Sequence, residues 1–396
     1  MVSLSMADIL HMSVRGMSFR RSIVHGFRAK VSRNSTYLAW LFLSNAALFC
    51  VASAQDPVLT GIVADAESER GLPRAHVFIA SSMIGTTTDR DGQFVLAGVP
   101  PGAHRLVVTM LGYESVHVDT LFRAGKQYEF YFHLNSTAIE LEEVVVNARL
   151  ARRWQRRLIK FTRLFVGETE NSNLTSILNP EVLSFTSRLG KLSATASEPL
   201  TIENRALGYQ IQYYLKEFFH YGITLKYDGE PSFTELVPID SIEAERWRVN
   251  RQAAFAGSQR HFLLSVLAGR VEEEGFEVYR RFSLEPNSSR FKMDSNQLLE
   301  PGPSPLEKIL TFTGILEIVY TKESEDDHFR QWQRKPDWSR PGPQISFMEL
   351  NSGPTAIDES GEVIDPYGVK VYGYYAFERA ADRVPKEYRP PDWTHK

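Results

Sequence analysis

Short runs of apolar and β-branched residues fill the chain from Val58 to about Val146, and clusters of Gly, Pro and Asp separate them. No apolar period of the helical kind interrupts the runs. Roughly seven strands with turn signals at this spacing are typical of a β-sandwich, so the pattern predicts one here. The runs are VLTGIVADA, AHVFIA, IGTTT, QFVLAGV, AHRLVVTML, VHVDTLF and YEFYFHL.

The pattern changes at residues 149–165, where apolar residues recur at helical spacing and basic residues occupy the other faces. We expect a basic amphipathic helix or linker there, with two interpretations. Arg149 to Lys160 would contact an anionic membrane surface, or the apolar stripe would pack on the helix's own domain, which we favour. The stripe consists of Leu150, Trp154, Leu158, Phe161 and Phe165.

Residues 166–396 combine strand patterns with helix patterns. Strand-like alternation dominates at first, and two helical segments follow from about Ser241. We therefore predict a β-rich α+β domain over 166–396. The strand-like segments are EVLSFTSR, KLSATASEPLTIEN, GYQIQYYLKEFFHYGITLKYDG and PSFTELVPI, and the helical ones are SIEAERWRVNRQAAF and GSQRHFLLSVLAGRVEEEG.

Residues 1–54 have the layout of a secretory signal peptide, with a basic region, an apolar stretch and small residues at Ala52 and Ala54. We predict cleavage after Ala54; an uncleaved membrane anchor is the alternative. Cys50, the only cysteine, lies in the apolar stretch, so a mature chain would lack disulfides and depend on core burial. The signal predicts an exported protein of the periplasm or the outer membrane.

The overall composition narrows the class of protein further. The chain has 396 residues, 43% of them apolar, which is ordinary for a globular protein of two or three domains. The formal net charge of -3 gives no reason to expect a nucleic-acid partner, because proteins that bind phosphate backbones usually have a strongly basic face.

Two segments within residues 55–148, TGIVADAESERGLPRAHVFI and GTTTDRDGQFVLAGVPPGAHRLVVTMLGYE, resemble the carboxypeptidase regulatory-like domain. The resemblance implies a transthyretin-like sandwich, which is common in secreted and outer-membrane proteins of Bacteroidota-type bacteria. Later phrases, including LNPEVLSF and GYYAFERAADRVPKEYRPP, resemble a bacterial family of unknown activity in which this sandwich is joined to one further domain.

An Asp-x-Asp-Gly sequence at Asp89, Asp91 and Gly92 fits either a calcium loop or a tight turn. An EF-hand loop that begins at Asp89 needs glycine at its sixth position and Glu at its twelfth, where this chain has Phe94 and Pro100. A type I turn prefers Asp at its first position and Gly at its fourth. We therefore predict a structural turn and no metal site.

The family resemblance raises the question of peptidase activity. A metallocarboxypeptidase binds zinc through a His-x-x-Glu pair and a distant His, and none of the ten histidines here is followed by Glu at the third position. Ser258 and His261 have the spacing of a nucleophile and a base on a helix, but Ser258 fits a helix N-cap better. We predict a non-enzymatic protein without a cofactor; an enzyme of unrecognised type is an alternative.

Two acidic runs, Glu272 to Glu274 and Glu323 to His328, raise the question of a metal site. A cluster of carboxylates suits a hard cation. Adjacent acids on a polar stretch are more often solvated, so we predict a turn for the first run and a loop for the second.

Aromatic residues are dense from Tyr209 to Tyr227. Exposed rings would stack on sugars or peptides, whereas the alternation of Tyr209, Ile211 and Tyr213 favours a core. Our leading hypothesis is a cell-envelope binding or interaction protein, and a carbohydrate-binding module of a surface glycan system is the alternative. The candidate ligand contacts are Tyr213, Phe218, Arg260 and His261.

Overall fold

The computed structural model describes residues 56–137, 148–285, 287–303, 307–336 and 339–393. The predicted signal peptide over 1–54, with Cys50, therefore lies outside the described residues. Within the remainder, Ala54–Lys396 groups into one unit by its internal contacts.

Seven strands form two sheets at the start of the described chain. The strands are β1 Val58–Asp65, β2 His76–Ile79, β3 Gly85–Thr87, β4 Gln93–Leu96, β5 Gly102–Thr109, β6 Val116–Phe122 and β7 Gln127–Leu134. The first sheet has the order β4-β1-β7, in which β1 pairs antiparallel with β4 and parallel with β7. The second sheet has the order β3-β2-β5-β6 and is antiparallel.

Side chains from both sheets fill the space between them. On β4 burial alternates strictly, with Phe94 and Leu96 inside and Gln93 and Val95 outside. Val77 on β2 belongs to the same core and has no exposed surface. The predicted fold class, a transthyretin-like sandwich followed by a β-rich α+β region, is confirmed.

The turn from Asp89 to Gly92 joins β3 to β4. The Gly92 amide donates to the Asp89 carbonyl oxygen at 3.2 Å, and the Asp89 carboxylate accepts from the Asp91 and Gln93 amides at 2.9 Å each. Gly92 has φ +77°, and a Cβ there would lie 2.3 Å from the Val63 carbonyl oxygen, so only glycine fits. The Asp89 carboxylate therefore satisfies backbone amides of its own turn.

Helix α1 (Ala148–Phe165) packs on a six-stranded sheet. The strands of that sheet are β8 Thr175–Ile177, β9 Leu183–Arg188, β10 Lys191–Ala196, β11 Leu200–Asn204, β12 Tyr209–Tyr221 and β13 Thr224–Glu235. The long strand β12 pairs with β10, β11 and β13. Phe161 and Phe165 are fully buried in the core that α1 shares with this sheet, so the apolar stripe packs within its own region. Leu150 is an exception, because it is 55% exposed.

Two helices follow, α2 (Ser241–Phe255) and α3 (Gln259–Leu267), and each begins at a side-chain cap. Asp240 accepts from the Glu243 amide, and the Ser258 hydroxyl accepts from the His261 amide at 3.1 Å. Leu267 ends α3, so Arg270 lies beyond the helix, although the sequence pattern includes it in the helical segment.

The remaining strands form a five-stranded sheet of order β15-β14-β18-β19-β21 and a short sheet of order β16-β17-β20. Their bounds are β14 Phe276–Arg281, β15 Arg290–Lys292, β16 Leu299–Pro301, β17 Glu307–Leu310, β18 Ile315–Ser324, β19 Pro343–Leu350, β20 Thr355–Asp358 and β21 Val369–Gly373. Helices α4 (Asp327–Trp332) and α5 (Tyr374–Phe377) accompany them. Phe262 and Leu263 of α3 lie in the core of this part, which is separate from the core beneath α1. The proposed single domain over 166–396 stays a prediction.

The segment 378–393, here called the tail, returns across the rest of the fold. Asn204 donates from its side-chain amide to the Ala381 carbonyl oxygen at 2.8 Å. The Lys386 amide donates to the Ser81 carbonyl oxygen at 2.8 Å, which joins the tail to the sandwich. The tail thereby contacts both the sandwich and the sheet beneath α1.

Two local expectations are wrong. The sequence predicts a strand break before Pro231, yet β13 continues through this residue. The Pro231 carbonyl oxygen accepts a hydrogen bond from the Ser81 amide of the sandwich at 2.8 Å. Proline is tolerated here because β13 forms its hydrogen-bond ladder with β12, and the other edge of β13 has only an isolated bridge to the sandwich.

The second acidic run, Glu323 to His328, is not a loop. Strand β18 ends at Ser324 and helix α4 begins at Asp327, because the Asp326 carboxylate caps the helix by accepting from the Phe329 amide at 2.7 Å.

Candidate functional site

An open groove of about 560 Å³ lies between the end of β13, helix α2 and the tail. This volume is in the range of small-ligand and peptide sites. The residues that line it are Glu235, Leu236, Val237, Pro238, Ala244, Trp247, Arg248, Arg251, Tyr388, Arg389 and Pro391. The groove therefore combines residues from two distant parts of the chain.

Trp247 anchors helix α2 beside the six-stranded sheet that packs under α1. Its ring is 3% exposed, and its Nε1 donates to the Arg205 carbonyl oxygen at 2.8 Å. Gly208 has φ +72°, and a Cβ there would lie 2.3 Å from the Trp247 ring. Trp247 therefore fixes the wall of the groove and leaves no free ring face for a ligand.

Two of the three arginines in the groove have carboxylate partners. Arg251 pairs with Glu235 at 2.6 Å, donates to the Leu207 carbonyl oxygen at 2.6 Å and lies over the Tyr209 ring. Arg248 pairs with Glu245 at 2.6 Å, and both side chains are more than half exposed. The pair is bidentate, at 2.8 and 2.6 Å, and because both side chains are exposed, a ligand carboxylate can compete for Arg248.

Arg389 differs from the other two because no carboxylate of the described residues forms an ion pair with it. It donates to the carbonyl oxygens of Lys386 and Tyr388 at 2.7 and 2.8 Å. Its Nε is buried and has no acceptor among the described residues. Burial is the main cause that lowers the pKa of Arg389 below its ordinary value. An acceptor supplied by a ligand would satisfy this side chain.

Apolar side chains on the adjoining segment are strongly exposed. Val237, Ile239 and Ile242 are 88%, 82% and 77% exposed. Val237 itself lines the groove, and the other two follow it within five residues of chain. A cluster of exposed apolar side chains beside a groove is typical of an interaction surface.

The structure places the predicted aromatic contacts in a core. Tyr213 and Phe218 are 3% and 1% exposed and belong to the cluster under α1. The Tyr213 ring packs edge-on against Phe165 at 4.9 Å, and Phe218 packs against Phe161 at 4.7 Å. Neither ring reaches the surface, because Tyr213 points inward on β12 and the β-bulge between Leu215 and Glu217 shifts the alternation by one residue, which turns Phe218 to the same face. The ligand role proposed for them from the sequence is therefore corrected to a packing role.

Arg260 and His261 are also buried, at 9% and 4% exposure. Arg260 donates to tail carbonyl oxygens, including those of Pro385 and Lys386 at 3.0 Å each, so its guanidinium holds the tail in place. These two residues lie on α3 and not in the core of Tyr213 and Phe218. The structure does not bring the four predicted contacts together at one site.

The Ser258 and His261 side chains are each engaged locally. The Ser258 hydroxyl donates to the Phe255 carbonyl oxygen at 2.7 Å, and Nδ1 of His261 accepts from the Gly257 amide at 3.0 Å. The acidic run reaches this histidine through Glu274, whose carboxylate lies 3.5 Å from Nε2 of His261 and 2.9 Å from Arg270. These contacts describe a capped helix and not a nucleophile activated by a base.

The sequence patterns do not identify the residues that line the groove. Trp247, Arg248 and Arg251 appear there only as part of a helical pattern, although a tryptophan flanked by arginines is a signal for binding. Tyr388 and Arg389 have no sequence signal, because their position depends on the return of the tail.

Within the described ranges, no helix is both long enough and apolar enough to cross a membrane. The described residues also contain no group of three or more His, Cys, Asp or Glu arranged to hold a metal ion.

These features define the class of protein: a β-sandwich is joined to a β-rich α+β region, and that region has an arginine-lined groove at its surface. Residues 59–146 match the CarboxypepD_reg-like domain family. The chain therefore has a CarboxypepD_reg-like domain, in agreement with the resemblance noted in its sequence. No curated protein matches the chain.

Among solved structures, the chain is similar to a Bacteroides uniformis protein proposed to bind carbohydrate, with 7% identity, a TM-score of 0.18, and coverage of 41% of this chain and 60% of that one. It is similar to a 5-hydroxyisourate hydrolase of Klebsiella pneumoniae, with 13% identity, a TM-score of 0.17, and coverage of 21% and 92%. It is also similar to a Bacteroides fragilis protein of unknown function proposed to be membrane-associated, with 10% identity, a TM-score of 0.17, and coverage of 81% and 95%.

Proposed function

We propose that this chain is a non-enzymatic binding protein of the cell envelope, and that its groove receives an extended segment of a partner protein. The observation that supports this most is the exposed apolar cluster of Val237, Ile239 and Ile242 beside an open groove. Exposed apolar side chains in such number are unfavourable in water and become favourable when a partner covers them. The signal-like N-terminal sequence supports the location in the cell envelope.

The charge of the groove favours a segment with acidic side chains. Three arginines line it against one glutamate, Glu235. Arg389 has an unsatisfied Nε donor, and the exposed Arg248 is held only by the equally exposed Glu245. Guanidinium groups bind carboxylates in a bidentate manner. We therefore expect partner segments that combine acidic and apolar residues.

A glycan is the second candidate ligand. Tyr388, which is partly exposed, lies at the groove beside the guanidinium groups, and a phenol with adjacent hydrogen-bond donors suits a sugar ring with acidic substituents. An enzyme of unrecognised type is the remaining alternative. The groove lining supports it least, since Glu235 and Tyr388 are its only side chains with an ionisable acid group.

The test compares two doubly substituted proteins. Val237→Ser with Ile242→Ser removes apolar surface at the groove, whereas Leu189→Ser with Ile223→Ser removes equally exposed apolar side chains, 86% and 100% exposed, at other positions. Short random peptides displayed on phage are selected on the unsubstituted protein, and the affinity of each selected peptide is then measured for all three proteins. We expect acidic, apolar peptides that bind the groove variant roughly ten-fold more weakly, which corresponds to about 1.4 kcal/mol of apolar contact.

The control variant should bind these peptides as the unsubstituted protein does. Equal affinity of the peptides for all three proteins would show that the groove is not the binding surface. A glycan array run in parallel separates the alternatives: saccharides that bind the unsubstituted protein and lose affinity for an Arg389→Gln variant, in the absence of such peptides, would replace the peptide proposal with the glycan one.

A further inference from the structure

The outer face of helix α1 is a dense basic surface, and it contributes no residue to the groove between β13, α2 and the tail. Arg152, Arg153 and Arg156 are exposed. No carboxylate among the described residues forms an ion pair with them, and no hydrogen-bond partner for them appears in the described part of the chain. Within the described residues, these three guanidinium groups therefore face solvent and not an internal partner.

The opposite face of α1 holds the helix rigidly. Phe161 and Phe165 are fully buried, the Trp154 indole donates to the Leu183 carbonyl oxygen at 3.0 Å, and Arg157 donates to the Phe185 carbonyl oxygen at 3.1 Å. Because these contacts fix the rotation of the helix, the exposed arginines point outward in a constant arrangement. A fixed arrangement reduces the entropy that must be lost when an anion binds.

A second groove, of about 280 Å³, lies at the edge of this face, between the flank of α1 and strands β9 and β10. Its lining is almost entirely basic and polar: Arg153, Arg156, Arg157, Lys160, Ser187 and Leu192. Four cations and a hydroxyl around one small groove provide donors that suit a phosphate group. Burial, followed by the charges of Lys160 and Arg163, lowers the pKa of the nearby His220.

An exposed apolar side chain stands among these cations. Ile159 is 69% exposed, and it lies three residues after Arg156 and seven after Arg152 on the same helical face. An apolar side chain surrounded by long basic side chains is typical of helices that lie at a membrane interface. A soluble phosphate compound would make no use of Ile159.

We propose that the outer face of α1 binds the surface of a phosphate-bearing anionic lipid membrane. Headgroup phosphates occupy the groove between Arg153, Arg156 and Lys160, and Ile159 enters the boundary of the acyl chains. This interaction rests on a different part of the molecule from the proposed peptide groove, so one stands without the other. It places the protein on a membrane surface through α1.

The experiment measures binding of the full chain to vesicles of phosphatidylcholine with and without phosphatidylglycerol. Arg153→Gln with Arg156→Gln is the test variant, and Arg90→Gln with Lys126→Gln is the control, since it removes two exposed cations from the sandwich. Every variant keeps the same N-terminal residues, so differences between variants report α1. We expect binding to anionic vesicles that falls roughly 30-fold in the test variant, from the contribution of two basic residues near an anionic surface.

The control variant should bind within a factor of about two of the unsubstituted chain, and high salt should weaken all binding through screening. An equal loss in both variants would overturn the proposal, because net charge and not α1 would then be responsible. Equal binding to vesicles of phosphatidylcholine alone would also overturn it. Titration with inorganic phosphate separates the remaining source: saturable phosphate binding that the test variant loses, without vesicle binding, would indicate a soluble ligand and not a membrane.

Discussion

At the scale of single residues, His261 shows how burial decides chemistry. Its ring is surrounded by Phe255, Phe276, Tyr320 and Trp393, with ring centroids 4.8 to 5.7 Å away. Burial, assisted by the charges of Lys322 and Arg260, lowers its pKa to about 3. The Glu274 carboxylate at 3.5 Å opposes this effect. Desolvation prevails, because Glu274 is already paired with Arg270 at 2.9 Å.

His261 therefore makes stability depend on pH. An unfolded histidine has a pKa of about 6.5, so between pH 6.5 and the folded value of about 3 the unfolded chain binds the additional proton. Stability should fall as pH falls through this window, by up to about 1.4 kcal/mol per pH unit from this residue. His261→Asn, which keeps an acceptor for the Gly257 amide, should lower stability at pH 7 and reduce the slope, as measured by urea unfolding at a series of pH values.

The control for this prediction is Phe276→Leu. It disturbs the same aromatic cluster, since the two ring centroids are 4.8 Å apart, without removing the titrating group. Phe276→Leu should be destabilised at every pH and keep the slope of the unsubstituted protein. A slope that His261→Asn leaves unchanged would show that His261 does not carry the effect.

At the scale of elements, α1 is a helix with a packed apolar face and an exposed basic face. Its apolar residues recur at helical spacing, and that pattern alone places Phe161 and Phe165 on the packed side. Leu150 has the same phase but is 55% exposed. Leu150 is the third residue of the helix. It precedes Trp154, whose indole donates a hydrogen bond to the Leu183 carbonyl oxygen of the sheet. Periodicity therefore identifies the face, and the partner element decides how much of it is covered.

Phe161→Ala should destabilise the protein by about 3 to 5 kcal/mol, because it removes a fully buried ring and leaves a cavity against Phe185 and Phe218. Ile159→Ala, two positions away and 69% exposed, should change stability by less than about 0.5 kcal/mol. Denaturant unfolding of both proteins measures the difference. Similar effects of the two substitutions would contradict the assignment of the inner and outer faces.

At the scale of the whole molecule, polar contacts join the sandwich to the sheet beneath α1. Arg105 on β5 and Lys216 on β12 both donate to the Glu230 carboxylate on β13, at 3.1 and 2.6 Å. Nδ1 of His76 lies 2.8 Å from the Tyr214 hydroxyl. Because the shared Glu230 carboxylate is buried, the two parts should unfold together.

Glu230→Gln removes the buried carboxylate shared by Arg105 and Lys216, which keep only Asp119 and Asp228 as charged partners, and should lower stability by about 2 kcal/mol. Glu203→Gln removes a partly exposed pair with Arg205 at the end of β11 and should have little effect. Scanning calorimetry should show a single transition in each protein, shifted to lower temperature in Glu230→Gln. Two transitions, only one of which moves, would show that the sandwich and the following sheet are energetically independent.

The sequence by itself determined those features that depend on neighbours within a few residues. The sandwich strands follow from alternation and turn residues, α1 follows from helical spacing, and the Asp89 and Ser258 roles follow from local hydrogen bonding. These patterns need no knowledge of the distant chain.

Only the tertiary structure decided where the candidate site lies. The groove exists because the tail crosses back to α2, and Arg260 fixes the tail at Lys386, 126 residues further along the chain. The packing of α1 on the six-stranded sheet buries Tyr213, as its alternation on the strand favours, but the identity of the covering element comes only from the tertiary structure. Contacts over such separations result from how complete surfaces fit together, and local periodicity contains no information about that fit.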